Sequence, residues 1–570
     1  MHDGAVYERS LIALAAAAAL LVPASAGAER HVYVAGSGSS SVAAAEVGAD
    51  GSLHPVAGSP FATGAIGPEA IVVTPGGSNA FVSHHLSAGP LSLVGFGVGH
   101  DGALSSLPGS PFGGDSRVGL AVTPDGARLY GLDQFHDAVV GFSIGESGSP
   151  APLADLPAGS GGNFPVAVAV TPDGRHLYVV NRGSENVQGF AIAADGGLAA
   201  LSSMAVGSTP FAVAVTPDGA HLYVANSSSA DVSAFAISAD GWLAPVAGSP
   251  FATGGSGSFG LALTPDGRHL YATNGSSDDV SAFAISSGGA LAAVAGSPFS
   301  VPATAGGPMA GAVTPDSSRL YVANATGDNV AGFGIAGDGG LAALPGSPYA
   351  LGVAAPDVWS IAVSPDQPPA ASFAAPDAIS GVPATFDASA SADPDGEVAR
   401  YDWDFGDGTT AATGSPAASH TYASPGVYRV RLTLTDDEGC STAFVHTGQT
   451  ASCNGAPGAT AERSVSVRPP GPPPAAAPPP AGRACQSGRN ILVRLTRPRG
   501  RRIVTAVVRL NGKLVRVRTR RGRPVSARID LRGRRPGRYT VRIRLRLDNG
   551  RVIRRTRIYR TCATTRGAPQ

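Results

Sequence analysis

Two kinds of apolar run alternate between residues 30 and 366, joined by a recurring turn. Unbroken small-apolar stretches such as Ala167-Val168-Ala169-Val170 and Ala212-Val213-Ala214-Val215 predict strands covered on both faces. Each ends in Thr-Pro-Asp-Gly or a near copy, beginning at Thr74, Thr123, Thr171, Thr216, Thr264, Thr314 and Ser364. Pro pre-sets φ, Asp bonds back to its own backbone and Gly accepts a positive φ, so the tetrapeptide predicts a hairpin. An alternating strand ending in Asn follows, as in Leu177-Tyr178-Val179-Val180-Asn181 and Leu222-Tyr223-Val224-Ala225-Asn226. A third strand of the type Val232-Ser233-Ala234-Phe235-Ala236-Ile237, a Gly turn and an outer strand leading into Gly-Ser-Pro-Phe complete the unit.

The turn prolines stand 49, 48, 45, 48, 50 and 50 residues apart. That period, with four strands per copy, predicts a seven-bladed β-propeller over 29–367. The first copy opens on a second strand, His31-Val32-Tyr33-Val34-Ala35, and the last closes on a lone inner strand, Trp359-Ser360-Ile361-Ala362-Val363. These two are expected to pair, which closes the ring and removes open sheet edges. Asn181, Asn226, Asn274 and Asn324 read as structural, since Asn tolerates the left-handed conformation and caps turns.

After Pro368 the repeat stops. Tyr401-Asp402-Trp403-Asp404-Phe405-Gly406-Asp407-Gly408, then His420-Thr421-Tyr422 and a long alternating strand from Gly426 to Asp436, resemble the PKD domain over 368–468. That family is an immunoglobulin-like β-sandwich of extracellular proteins, and the resemblance implies that Asp402, Asp404 and Asp407 shape a strand and turn. Cys440 and Cys453 are expected to staple a hairpin. Asp393, Asp395 and the acids 436–438 offer the several oxygens a hard cation wants, so calcium is a candidate cofactor, although solvated turns account for them as well.

Residues 469–482 are rich in Pro and predict an extended spacer of roughly 40 Å at about 3.1 Å per residue. Through 483–570 apolar residues alternate with Arg, and Asn511-Gly512 and Asn549-Gly550 predict two-residue hairpin turns. The expectation is a small basic β-sandwich with its first and last strands clasped by Cys485 and Cys562. The whole chain therefore reads as all-β.

Formal net charge is zero, which conceals a division. Residues 483–570 hold 28 Arg and Lys against Asp530 and Asp548, a net +26 that the preceding residues balance. An Arg face of this kind suits a polyanion: cell-envelope polymer, nucleic acid or the acidic rest of the chain. Without interleaved aromatics or a nucleic-acid motif, sequence-specific nucleic-acid recognition is not expected. The apolar run 11–22 is too short to span a bilayer and Ala26-Gly27-Ala28 suits cleavage, so 1–28 reads as a signal peptide. The mature protein is expected to be secreted, extracellular or envelope-associated, with no membrane span. An exported chain favours disulfides over zinc, whose Cys-x-x-Cys or His pairs are missing.

The Leu-Tyr-Val-Ala-Asn and Thr-Pro-Asp-Gly repeats resemble the lactonase-like seven-bladed propellers, which include 6-phosphogluconolactonases and carboxymuconate-lactonising enzymes. The resemblance implies, in enzyme-like members, Pro-His or Pro-Arg-His at inner-strand starts and Asn-Glu after a second strand. Here Glu69, Val118, Val166, Phe211, Phe259, Met309 and Trp359 stand six residues before the turn prolines. Ala70, Gly119, Ala167, Ala212, Gly260, Ala310 and Ser360 follow them, and Arg182, Ser227, Gly275 and Ala325 follow the second-strand Asn residues. The family's polar set is unmatched, so no catalytic residue is expected. Glu69, His84, His85, Asp133 and Arg182 crowd the early blades at the channel mouth and form a candidate ligand site, although loop ends at a wet surface are often polar. No nucleophile elbow, His-Glu-x-x-His helix or phosphate loop occurs. The expected function is a secreted binding, adhesion or envelope-scaffold protein with a glycan or protein partner. The alternative is a lactone hydrolase acting in the channel.

Overall fold

The computed structural model describes residues 30–85, 93–113, 118–154, 156–352, 358–447, 451–454, 457–470, 490–495, 502–518, 525–532, 534–535 and 537–561. They are β throughout apart from one 3-10 turn, Pro457–Ala459, and no helix among them is long and apolar enough to cross a membrane. They fall into two compact units, divided between Pro469 and Pro470. The expected signal segment, most of the proline spacer, and Cys485 and Cys562 lie outside the described residues.

Among the described residues the repeats form seven sheets. Their inner strands touch in the order Val358–Val363, Pro68–Val73, Val118–Val122, Pro165–Val170, Pro210–Val215, Ser258–Leu263 and Pro308–Val313, which in turn meets the first. The ring is closed by the expected exchange: Val32 pairs with Val363, Tyr33 with Ala362 and Val34 with Ile361. The Thr-Pro-Asp-Gly turns work as their residues predict. Thr216 Oγ1 donates to Asp218 Oδ1 at 2.5 Å, Asp218 Oδ1 accepts from Ala220 N at 2.9 Å, and Gly219 N donates to Thr216 O at 2.8 Å with Gly219 at φ 70°.

Adjacent blades are clasped by the second-strand tyrosines. Tyr178, Tyr223, Tyr271 and Tyr321 donate through OH to the carbonyls of Gly241, Gly289, Gly339 and Gly51, one blade on, at 2.9, 2.9, 3.1 and 2.8 Å. Burial holds these phenols neutral well above their ordinary range. The acceptor must be Gly: at Gly241, φ 81°, an added Cβ would fall 2.2 Å from the His176 ring.

Two details differ from expectation. The buried Asn residues close the turn from extended backbone, and the left-handed position lies four residues later, at Glu185, Ala230, Asp278 and Asp328. In the fifth and sixth blades the outer strand is broken at Gly-Ser-Pro, leaving pieces such as Leu243–Pro245 and Phe251–Ala252 on one neighbour. Pro has no N–H to offer there, and the preceding Ser takes over: Ser249 Oγ accepts from Ala234 N at 2.8 Å. The fourth blade lacks the motif and keeps one strand, Leu198–Ala205.

The second part of the first unit is a sandwich around Phe373, Phe386, Trp403, Phe405, Tyr422, Val430, Leu432 and Leu434. Its main sheet joins Val398–Asp404, Gly426–Asp436 and Thr460–Arg468. Asp404 caps Gly406 N at 2.9 Å and Asp407 meets His420 Nε2 at 2.8 Å, so these carboxylates hold the turn. Cys440 and Cys453 form a disulfide. The second unit stacks the sheet Asn490–Arg494, Ser526–Asp530, Val517–Arg518 on the sheet Lys513–Val515, Ile503–Leu510, Gly537–Leu547, Val552–Thr561. Its core is Val493, Val508, Leu510, Ile529, Val541, Ile543 and Leu545. Asn511 and Gly512 take φ 45° and 87°, the expected tight turn. The Asn549-Gly550 connection is longer than two residues: only Gly550 is left-handed, and Leu547 N bonds Arg551 O at 3.0 Å.

Candidate functional site

The seven inner strands surround a channel cavity of about 180 Å3. Its walls are backbone and small or apolar side chains, among them Ala70, Gly119, Ala167, Phe211, Phe259 and Met309. Among the described residues, Ser360 is the one hydroxyl on the lining, and its Oγ accepts from Ile71 N at 3.2 Å. Among the described residues, none on the lining is titratable.

Inner strands begin where second strands end, since Pro68 pairs with His84, Pro165 with Asn181 and Pro210 with Asn226. All five expected polar residues therefore stand at one rim, and the structure sorts them blade by blade. His85 Nδ1 lies 3.0 Å from Glu69 Oε2, and His84 is fully buried at the end of its strand. Asp133 is buried as well; its Oδ2 lies 2.5 Å from His136 Nδ1 and its Oδ1 accepts from Phe135 N at 3.1 Å. Arg182 lays its guanidinium over Phe211 at 4.6 Å and Phe164 at 5.8 Å. Sequence reasoning missed His136 and the aromatic seat of Arg182, because the first depends on a local turn and the second on a neighbouring blade.

A second cluster sits at the junction of ring and sandwich, within the first unit. Asp366, Asp393, Asp395 and Asp436 each keep a buried carboxylate oxygen without a hydrogen-bond partner, and Asp366 and Asp436 are each only 3% exposed. Burial, then Asp436 and Asp395, push Asp366 up to about 9. Burial likewise lifts Asp393 to about 7, with Asp395 adding to it, and lifts Asp395 and Asp436 to about 6. Arg30 supplies part of the compensation, pairing with Asp316 at 2.8 Å and with Glu438. Asp366 Oδ and Asp436 Oδ approach within 4.8 Å of each other and of Cys440 Sγ, but that sulfur is spent in the disulfide, so carboxylates are the available ligands. Asp366 escaped sequence reasoning because it occupies the seventh turn motif. There Gln367 replaces the glycine, the hairpin is not made, and Gln367 N bonds Asp395 Oδ2 at 3.0 Å.

A family model described as a lactonase, 7-bladed beta-propeller, matches residues 153–257, and one described as a PKD domain matches 366–451. A microbial collagenase of Vibrio alginolyticus is 43% identical over 63 residues, 11% of this chain and 8% of the relative. Collagenase ColA of Clostridium perfringens is 46% identical over 54 residues, 10% of this chain and 5% of the relative. The chain thus spans less than a tenth of either collagenase. A solved protein from Lactobacillus plantarum shares the fold at TM-score 0.50 and 15% identity, covering 59% of this chain and 99% of that one. The periplasmic gluconolactonase of Pseudomonas aeruginosa aligns at TM-score 0.47 and 22% identity, over 57% and 99%. Repeat geometry and family matches agree: the chain joins a lactonase-type seven-bladed β-propeller to a PKD domain.

Proposed function

We propose that this chain is an exported multidomain binding protein of the cell envelope or extracellular space, whose propeller recognises a ligand and catalyses nothing. The channel carries this reading. Lactone hydrolysis needs a proton-transfer group and an oxyanion stabiliser within hydrogen-bond reach of substrate, and the described lining offers neither. The rim offers what binding needs instead: an apolar mouth at Phe211 and Phe259 flanked by the Glu69–His85 pair, the Asp133–His136 pair and the Arg182 plane. That mixture suits a glycan or an extended protein segment. The basic second unit serves as a cationic anchor for a polyanionic partner, which matches its charge.

Calcium is the cofactor the junction supports. Asp366, Asp393, Asp395 and Asp436 would hold it, and the supporting observation is their unpartnered buried oxygens, which a hard cation takes as ligands. Bound there, the ion would tie the end of the propeller to the PKD domain. The competing reading, a lactone hydrolase, rests on the family match over 153–257. A glycan and protein array probed with the whole chain, in calcium and in chelator, tests the binding reading. A discrete ligand supports it, and a blank array would contradict it.

A further inference from the structure

The outer face of the sheet Lys513–Val515, Ile503–Leu510, Gly537–Leu547, Val552–Thr561 presents Arg509, Arg542, Arg544, Arg546 and Arg554, all exposed, opposite the core side of the same strands. Register sets like charges face to face: Arg509 lies opposite Arg542, and Arg544 opposite Arg554. Directly opposed side chains stand about 5 Å apart at Cβ, where like charges destabilise a sheet. The unit's two acids do not relieve them. Asp530 is held by Arg532 at 2.7 Å on the other sheet, and Asp548 accepts from Arg502 N at 3.1 Å in the loop after the long strand. Arg509 donates to a neutral partner, the Gly512 carbonyl, at 3.0 Å.

The same face exposes aliphatic side chains among the guanidiniums. Val507 is 36% exposed opposite Arg544, Leu514 69% opposite Arg509, Val552 38% opposite Arg546, and Ile558 49% opposite Thr540. No aromatic stands on the face to stack a base. A soluble polyanion accounts for the arginines and gives no reason for the aliphatics. An anionic lipid surface accounts for both: guanidiniums take phosphate groups in bidentate fashion while aliphatic tips enter the boundary between headgroups and acyl chains. It also supplies the two signals that stable surface attachment needs, charge and apolar burial.

We propose that this face docks the protein on an anionic lipid surface, lying on the membrane without crossing it. The proposal rests on the cationic-anchor reading above and narrows its partner to phosphate-bearing lipid. It is tested with the full chain by co-sedimentation with phosphatidylcholine vesicles, with and without phosphatidylglycerol, beside heparin binding as the soluble-polyanion control. The wild type binds only the anionic vesicles, less at higher salt. Leu514→Ser with Ile558→Ser keeps every charge, weakens vesicle binding about tenfold and leaves heparin binding unchanged. Arg542→Gln with Arg544→Gln and Arg546→Gln weakens both. Vesicle binding indifferent to the aliphatic pair, or heparin binding without vesicle binding, overturns the lipid proposal and leaves the anchor reading standing. Binding to neither overturns both.

Discussion

Tyr223 belongs to an apolar run by pattern, yet its hydroxyl reaches a carbonyl in the next blade, Gly289 O, at 2.9 Å in a buried setting. Removing one partner of a buried hydrogen bond leaves the other unsatisfied, so Tyr223→Phe should lower unfolding free energy by about 1–2 kcal/mol. Equilibrium denaturation measures it, and an unchanged midpoint would show that the clasp contributes nothing. Phe81 occupies the corresponding place in the second blade and makes no such bond, which shows that packing alone can hold one such joint. Asp366 behaves oppositely, as a buried carboxylate short of partners. In chelator Asp366→Asn should be neutral or stabilising, because it relieves burial and repulsion from Asp436 and Asp395. In excess calcium the wild type should gain about 3 kcal/mol at a hundredfold excess over Kd, and the variant much less. A melting temperature indifferent to calcium in both proteins would remove the ion. The sequence showed Asp393, Asp395 and the acids 436–438, because they cluster in a resemblance already in view. It could not show Arg30, whose place beside them depends on ring closure.

The turns were legible because their physics is local: Thr, Asp and Gly of one tetrapeptide satisfy each other. Strand count and ring closure followed from period and from the unmatched strands at the two ends. The broken outer strand was not legible, because Ser249 Oγ replaces a backbone partner and side chains do that only in a known tertiary setting. The turn after Leu547 failed similarly: Asn549-Gly550 has the composition of a two-residue turn, but the strand register places it inside a longer loop. Closure carries a direct consequence. Deleting 359–366 removes the inner strand that pairs with His31–Gly36 and touches Pro68–Val73 and Pro308–Val313. The exposed edges should make the protein aggregate, as light scattering would record. A truncated chain as monomeric and stable as the parent would show that the ring does not depend on its closing strand.

The chain places a channel whose described lining is uncharged, a carboxylate-rich junction and a strongly cationic second unit on one polypeptide. Linking separate binding surfaces raises effective concentration without any new contact, which suits attachment more than turnover. The ring and its closure were readable from the sequence, and Val166-Ala167 and Phe259-Gly260 stand where the resembling enzymes would place His and Arg. Non-catalysis is the central claim of the proposed function, and hydrolysis of sugar lactones by the purified chain tests it most directly. The account predicts a rate equal to the spontaneous one, with and without calcium, and unchanged by Glu69→Gln or Arg182→Ala. Turnover above the spontaneous rate that either substitution abolishes would contradict it and make the rim an active site.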